Sequence, residues 1–190
     1  MFSLLQIYRF LQRLYVQSYT KLHSSSFKDF GKKSVICPPL RLSGEGQVLV
    51  GKNVTIGSQC WIQVIGDQRP DCTPRIKIGD GCSFAGFCTL SAVHEIEIGC
   101  GVLIARNVHI SDHRHAFSNP FVPILMQGVE QVGKVTIGDG TWIGHGVVIC
   151  PGVSIGKNCV IGANSVVTRS VPDRTVAAGA PARIIRKTSI

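Results

Sequence analysis

The segment Ser111-Asp112-His113-Arg114-His115 sets a carboxylate beside two imidazoles, with His109 just before them. An imidazole titrates near neutrality, so a histidine here can take the proton of a hydroxyl as that hydroxyl attacks a carbonyl. His113 is the candidate general base. In an extended chain His113 and His115 share one face and Asp112 points away, so Asp112 orients His113 only if the chain turns between them. The same residues also fit a polar, solvated loop. A third reading is zinc, with His94, His109, His113 and His115 as donors. No carboxylate or cysteine completes the usual ligand spacing, and the donors would have to converge from distant parts of the chain, so no metal is expected.

The segment interrupts a repeat that must position it. From Ile137 onward a six-residue phrase runs without a break: Ile137-Gly138 with Thr141, Ile143-Gly144 with Val147, Ile149-Cys150 with Val153, Ile155-Gly156 with Cys159, Ile161-Gly162 with Ser165, and Val167-Thr168 with Val171. It appears earlier at Val50, Ile56 and Ile62, at Ile78, Phe84 and Leu90, and at Ile98, Ile104 and Ile110. A period of six is neither helical nor a plain alternation; it is the signature of a parallel β-helix. Each hexad supplies one short strand and a corner, with the aliphatic inward and the small residue in the narrow corner. No hexad buries its apolar side alone, so coils must stack about 4.8 Å apart. Three hexads to a coil predict about five coils. The expected class is all-β, with the coils over residues 31–190, an N-terminal amphipathic helix within 1–30 and an inserted active-site loop at 111–134.

Composition agrees with one domain. The 190 residues are 44% hydrophobic and 16% charged, which suits a continuous core and excludes disorder. Of the 8 cysteines, Cys60, Cys82, Cys88 and Cys159 fall on the small-residue slot, and no Cys-x-x-Cys pair occurs. A reduced, cytoplasmic protein is expected. Residues 3–22 carry Leu4, Ile7, Tyr8, Leu11, Leu14, Tyr15 and Leu22 at near-helical spacing, interrupted by Arg9, Gln12 and Arg13 before a membrane span accumulates. Such a helix packs on the first coil or a neighbouring subunit, or it lies on a membrane surface. Arg9, Arg13, Lys21, Lys28, Lys32, Lys33 and Arg41 against Asp29 alone favour the surface role. The net charge of +9 does not imply nucleic acid, because no helix-turn-helix, RNA-binding aromatic motif or zinc module accompanies it.

Residues 50–187 resemble the left-handed β-helix, or hexapeptide-repeat, acyltransferases, and within them the maltose, galactoside and polysaccharide O-acetyltransferases. Ile104-Ala105-Arg106-Asn107-Val108-His109-Ile110-Ser111-Asp112-His113-Arg114-His115 is similar to the Asp-His-x-His loop of the exopolysaccharide, capsule and O-antigen enzymes. Ile137-Gly138-Asp139-Gly140-Thr141-Trp142-Ile143-Gly144, continuing to Ala177-Ala178-Gly179-Ala180-Pro181-Ala182-Arg183, carries the rest of the likeness. The lead-in Pro38-Pro39-Leu40-Arg41-Leu42-Ser43-Gly44 after a basic helix resembles the polysaccharide branch. One departure concerns the acceptor. Phe84-Ala85-Gly86-Phe87-Cys88-Thr89 stands where free-sugar enzymes tend to have hydroxyl-binding asparagines, so their sugar contacts do not carry over.

The resemblance implies a left-handed coil, a homotrimer with active sites in the clefts between subunits, and acetyl-CoA as donor. It makes His113 the general base and places Trp142, His145, Ala163, Thr168, Arg169, Arg183 and Arg186 along the CoA channel. Asp112, His115 and His94 are expected to contact the acceptor. The function implied is O-acetylation of a sugar in a surface polysaccharide or its lipid-linked precursor, in the cytoplasm or at the inner face of the membrane. N-acetylation of an amino sugar, a non-catalytic trimeric scaffold and a zinc enzyme of the γ-class carbonic anhydrase type share the fold.

Overall fold

The computed structural model describes residues 3–66, 73–131 and 133–188. Position 132 of the expected loop, and positions 67–72 and 189–190 of the expected coil domain, lie outside the described residues.

Short strands follow one another around a prism with three parallel sheets, called faces A, B and C in the order the chain meets them. Among the described residues, faces A and C have 6 strands each, which makes six coils, and face B has 8, ending in Thr175–Gly179 and the antiparallel strand Ala182–Lys187. The first coil is Asp29–Phe30, Val35–Ile36 and Leu40–Ser43. It precedes the first hexad at Val50 and accounts for the coil beyond the expected five or so.

The hexad aliphatics form the core. Ile78, Ile98 and Ile137 stack in register on face A, Phe84, Ile104, Ile143 and Ile161 on face B, and Ile62, Leu90, Ile110 and Ile149 on face C. All are buried. Each large side chain removed from water in this way contributes about 1.5–3 kcal/mol. The corners impose their own limits. A Cβ at Gly138 would stand 2.6 Å from the Gly156 backbone of the next coil, and only glycine fits. Asn53, Asn107, Asn158 and Asn164 hold left-handed corner conformations that asparagine tolerates. Cys60, Cys82, Cys88 and Cys159 are buried free thiols in the small-residue slot.

Helix α1 (Leu4–Ser24) starts at a capping box between Ser3 and Gln6. Only its C-terminal half is docked. The Ile36 N–H donates to Thr20 Oγ1 at 2.9 Å, and the Leu40 N–H to the Tyr19 hydroxyl at 3.3 Å. Val16, Tyr19, Thr20 and His23 are half-buried, whereas the stripe Leu4, Ile7, Leu11, Leu14 and Leu22 turns away from the coils and is exposed. Among the described residues, no helix is long and apolar enough to cross a membrane.

The expected loop has structure of its own. His113–His115 pairs antiparallel with Val129–Gln131, and a short helix α2 (Ile124–Gln127) sits near the tip. Arg114 and Glu130 face one another across this hairpin in a 2.8 Å ion pair. The hairpin leaves the prism at the corner between faces C and A, immediately after His109–Ser111 of the fourth coil.

Candidate active site

The chain turns sharply between Asp112 and His113. Asp112, expected to contact the acceptor, is 0% exposed. One carboxylate oxygen accepts the Val93 N–H and the other the His94 N–H, each at 2.8 Å. These bonds tie the fourth coil's corner to the third's. Asp112 Oδ1 also lies 3.1 Å from His113 Nδ1. Because a carboxylate that receives N–H donors on both oxygens is an acceptor, Nδ1 of His113 is the donor and Nε2 keeps its lone pair. This is the arrangement a general base requires.

Ser111 completes the support. Its hydroxyl donates to the His113 carbonyl at 2.8 Å and lies 3.3 Å from Nδ1. Ser111 escaped the sequence argument, although a signal existed: Ser91 and Ser111 occupy the same hexad slot on successive coils and are paired in register. His109 is on the outer face of its strand beside His113. Partial desolvation, with a smaller effect of the His113 imidazole, lowers its pKa and favours its neutral form. His94 is half-buried at the adjoining corner, and His115 is exposed two residues along the hairpin on the side of His113. Among the described residues, no three His, Cys, Asp or Glu side chains group to hold a metal ion.

The residues expected along the CoA channel fall on two edges of the prism. Trp142 is on face B, with His145 and Ala163 at the corner between faces B and C; His145 Nε2 is 3.5 Å from Asn107 Nδ2 there. Arg183 and Arg186 are exposed on Ala182–Lys187, the last strand of the same face. Thr168 and Arg169 lie at the other edge, where face C gives way to face A, which is also the edge of His113. Face C separates the two groups within one chain.

The surface around Trp142 has a distinct chemistry. Leu103, Trp142, Val160 and Val176 are successive register partners along face B, and Trp142 remains 48% exposed. An apolar ladder ending near Arg183 and Arg186 suits an apolar arm with a phosphorylated end.

Comparisons with known proteins agree with this fold. The family described as bacterial transferase hexapeptide (six repeats) matches residues 134–169. WbbJ of Escherichia coli (strain K12), whose name assigns it to O-acetyl transfer in lipopolysaccharide biosynthesis, is 33% identical over 156 residues, covering 78% of this chain and 76% of that protein. The galactoside O-acetyltransferase of the same strain is 45% identical over 94 residues, covering 50% of this chain and 45% of that enzyme. AntD, an N-acyltransferase from Bacillus cereus solved with dTDP and 3-hydroxybutyryl-CoA, superposes with a TM-score of 0.76 at 24% identity, covering 90% of this chain and 88% of that one. The chain belongs to the hexapeptide-repeat acyltransferases, built on the left-handed parallel β-helix. Within that family it is an acetyltransferase.

Proposed function

We propose that this protein transfers an acetyl group from acetyl-CoA to a sugar hydroxyl of a surface polysaccharide or its precursor. The observation that carries the reading is the buried Asp112 set against His113 at the root of the hairpin. His113 Nε2 takes the proton of the acceptor hydroxyl as its oxygen attacks the thioester carbonyl; the tetrahedral adduct then expels the CoA thiolate. No covalent enzyme intermediate is needed, so the cysteines stay structural.

The donor lies along face B. Trp142 and its apolar neighbours cover the pantetheine arm, Ala163 and His145 flank it at the corner, and Arg183 and Arg186 meet the phosphates. Thr168 and Arg169 approach from a neighbouring copy. A trimer that sets the edge bearing His113 against the neighbour's Trp142 edge brings together the two groups that face C separates, and converts a bimolecular encounter into a local one. His94 and His115 flank the acceptor. The outward apolar stripe of α1, with Arg9, Arg13 and Lys21 and no acidic residue in the helix, holds the trimer against an anionic membrane surface where lipid-linked saccharides reside.

The test is thiol release from acetyl-CoA across nucleotide sugars, free oligosaccharides and lipid-linked saccharides, with product mass read in parallel. An ester on a saccharide hydroxyl is expected. Acetylation confined to amino groups, or no consumption of acetyl-CoA with any saccharide, contradicts the proposal.

A further inference from the structure

Two side chains at the corner between faces B and C have no part in the proposed donor site. Phe87 lies between Ser83–Phe84 and Thr89–Ala92 of the third coil, and Arg106 between Leu103–Ile104 and His109–Ser111 of the fourth. The Arg106 guanidinium carbon stands 4.7 Å from the centroid of the Phe87 ring. Phe87 holds a φ of 57°, the left-handed conformation that its counterparts Asn107 and Asn164 tolerate and a bulky side chain disfavours. An asparagine would fill this corner without strain, but only an aromatic ring offers a face to a cation. The ring is 45% exposed, so burial in the core does not offset the strain. With the ring against one side of its plane, the guanidinium keeps its in-plane N–H donors free. Among the described residues no carboxylate pairs with it. The corner holds none of its own: residues 37–39, 57–59, 85–87, 105–107, 144–146 and 162–164 include no Asp or Glu. The corner between faces A and B carries Asp80, Asp139 and Asp173, and face A carries an ion ladder of Lys77, Glu95 and Lys134.

We infer that Arg106, held in place by Phe87, binds an anionic group of the acceptor, so that the sugar acetylated belongs to a saccharide bearing a carboxylate or a phosphate. The inference rests on the proposed sugar acetylation and names the charge of its acceptor. A closed threefold arrangement about an axis parallel to the prism has no translation along that axis, so equal coils of neighbouring copies stand level. His113 follows face C of the fourth coil, and what stands level with it across the proposed cleft is the neighbour's fourth-coil corner, the place of Arg106. Trp142 and Ala163 belong to the fifth and sixth coils, so the donor occupies the C-terminal side and leaves Arg106 to the acceptor. A guanidinium meets a carboxylate or a phosphate through two parallel N–H···O bonds, whereas a neutral saccharide leaves the cation unmatched. Phe87 is a positioning residue in this account, and Arg106 is the group that touches the acceptor.

The experiment uses the full chain, acetyl-CoA and saccharides of equal length in three forms: neutral, with one uronate unit, and with one phosphate. Wild-type kcat/KM is expected to be at least about tenfold higher on an anionic form than on the neutral one, and the form preferred tells carboxylate from phosphate. In Arg106→Gln the preference is expected to fall below about threefold, through a rise in acceptor KM. Phe87→Asn is expected to lose the preference to the same degree while its melting temperature holds or rises, and Phe87→Tyr to keep the preference. Equal wild-type rates on neutral and anionic forms overturn the inference and leave sugar acetylation intact. A preference that survives Arg106→Gln, or one that survives Phe87→Asn, does the same. If no saccharide in any form is acetylated, the proposed function itself fails.

Discussion

Asp112 Oδ1 and His113 Nδ1 lie 3.1 Å apart although the residues are sequence neighbours, a contact made by the turn at the end of face C. The carboxylate is held from behind by the amides of Val93 and His94, so it cannot swing away. Replacing Asp112 with Asn puts an NH2 where an oxygen now accepts, and frees His113 to adopt the tautomer with its proton on Nε2. We expect Asp112→Asn to lower kcat by about 10²- to 10³-fold with little change in acetyl-CoA KM, and to alter the pH profile of kcat. Loss of thermal stability alone, with kcat retained, contradicts the positioning role.

The split of the proposed donor-site residues between two edges of the proposed trimer predicts complementation. His113→Ala and Trp142→Ala homotrimers are each expected to be nearly inactive. Trimers reassembled from equal amounts of the two contain clefts with an intact His113 on one side and an intact Trp142 on the other. Such mixtures are expected to recover a measurable fraction of wild-type turnover. Recovery of none, with mixed trimers verified by mass, places both residues of a site in one chain.

Face A supplies a pH prediction. Burial raises the Glu95 pKa, but hydrogen bonds from Lys77 and Lys134 outweigh it, and the net shift is downward from the usual 4.5. A depressed folded value means stability that is present above the unfolded pKa and lost as the pH falls through the folded one. Thermal melts of wild type and Glu95→Gln should therefore differ at pH 7 and converge below about pH 4. A constant gap between the two across that range counts against the ion ladder.

The exposed stripe of α1 can be tested apart from catalysis. Replacing Ile7, Leu11 and Leu14 with Glu is expected to abolish flotation with vesicles rich in anionic lipid, while the melting temperature holds because these side chains pack on nothing in the chain. Equal flotation of variant and wild type rules out the membrane role. A loss of trimer mass instead assigns the stripe to a subunit contact.

Much of this architecture is legible in the residues themselves. Wherever Ile or Val recurs every sixth position the structure has a buried strand, because one inward side chain per corner is the only way these short strands share a core. The first coil is only partly legible: Phe30-Gly31 with Ser34, Ile36 and Leu42 keep the period of six, but Leu40 stands in the small-residue slot after Ile36 and breaks the phrase. The hairpin of 113–131 is hidden, since its pairing of Arg114 with Glu130 crosses a long separation without a period. At the candidate site, residue types single out His113, whereas whether Asp112 faces it depends on a turn that the sequence leaves open. The turn depends on the Val93 and His94 amides, which come from another coil.

The most direct test is turnover of His113→Ala with acetyl-CoA and an acceptor saccharide that bears the free hydroxyl, alongside acetyl-CoA binding by calorimetry. With His113 as the general base, kcat is expected to fall about 10²- to 10⁴-fold with binding of acetyl-CoA nearly intact. Turnover equal to wild type contradicts that role.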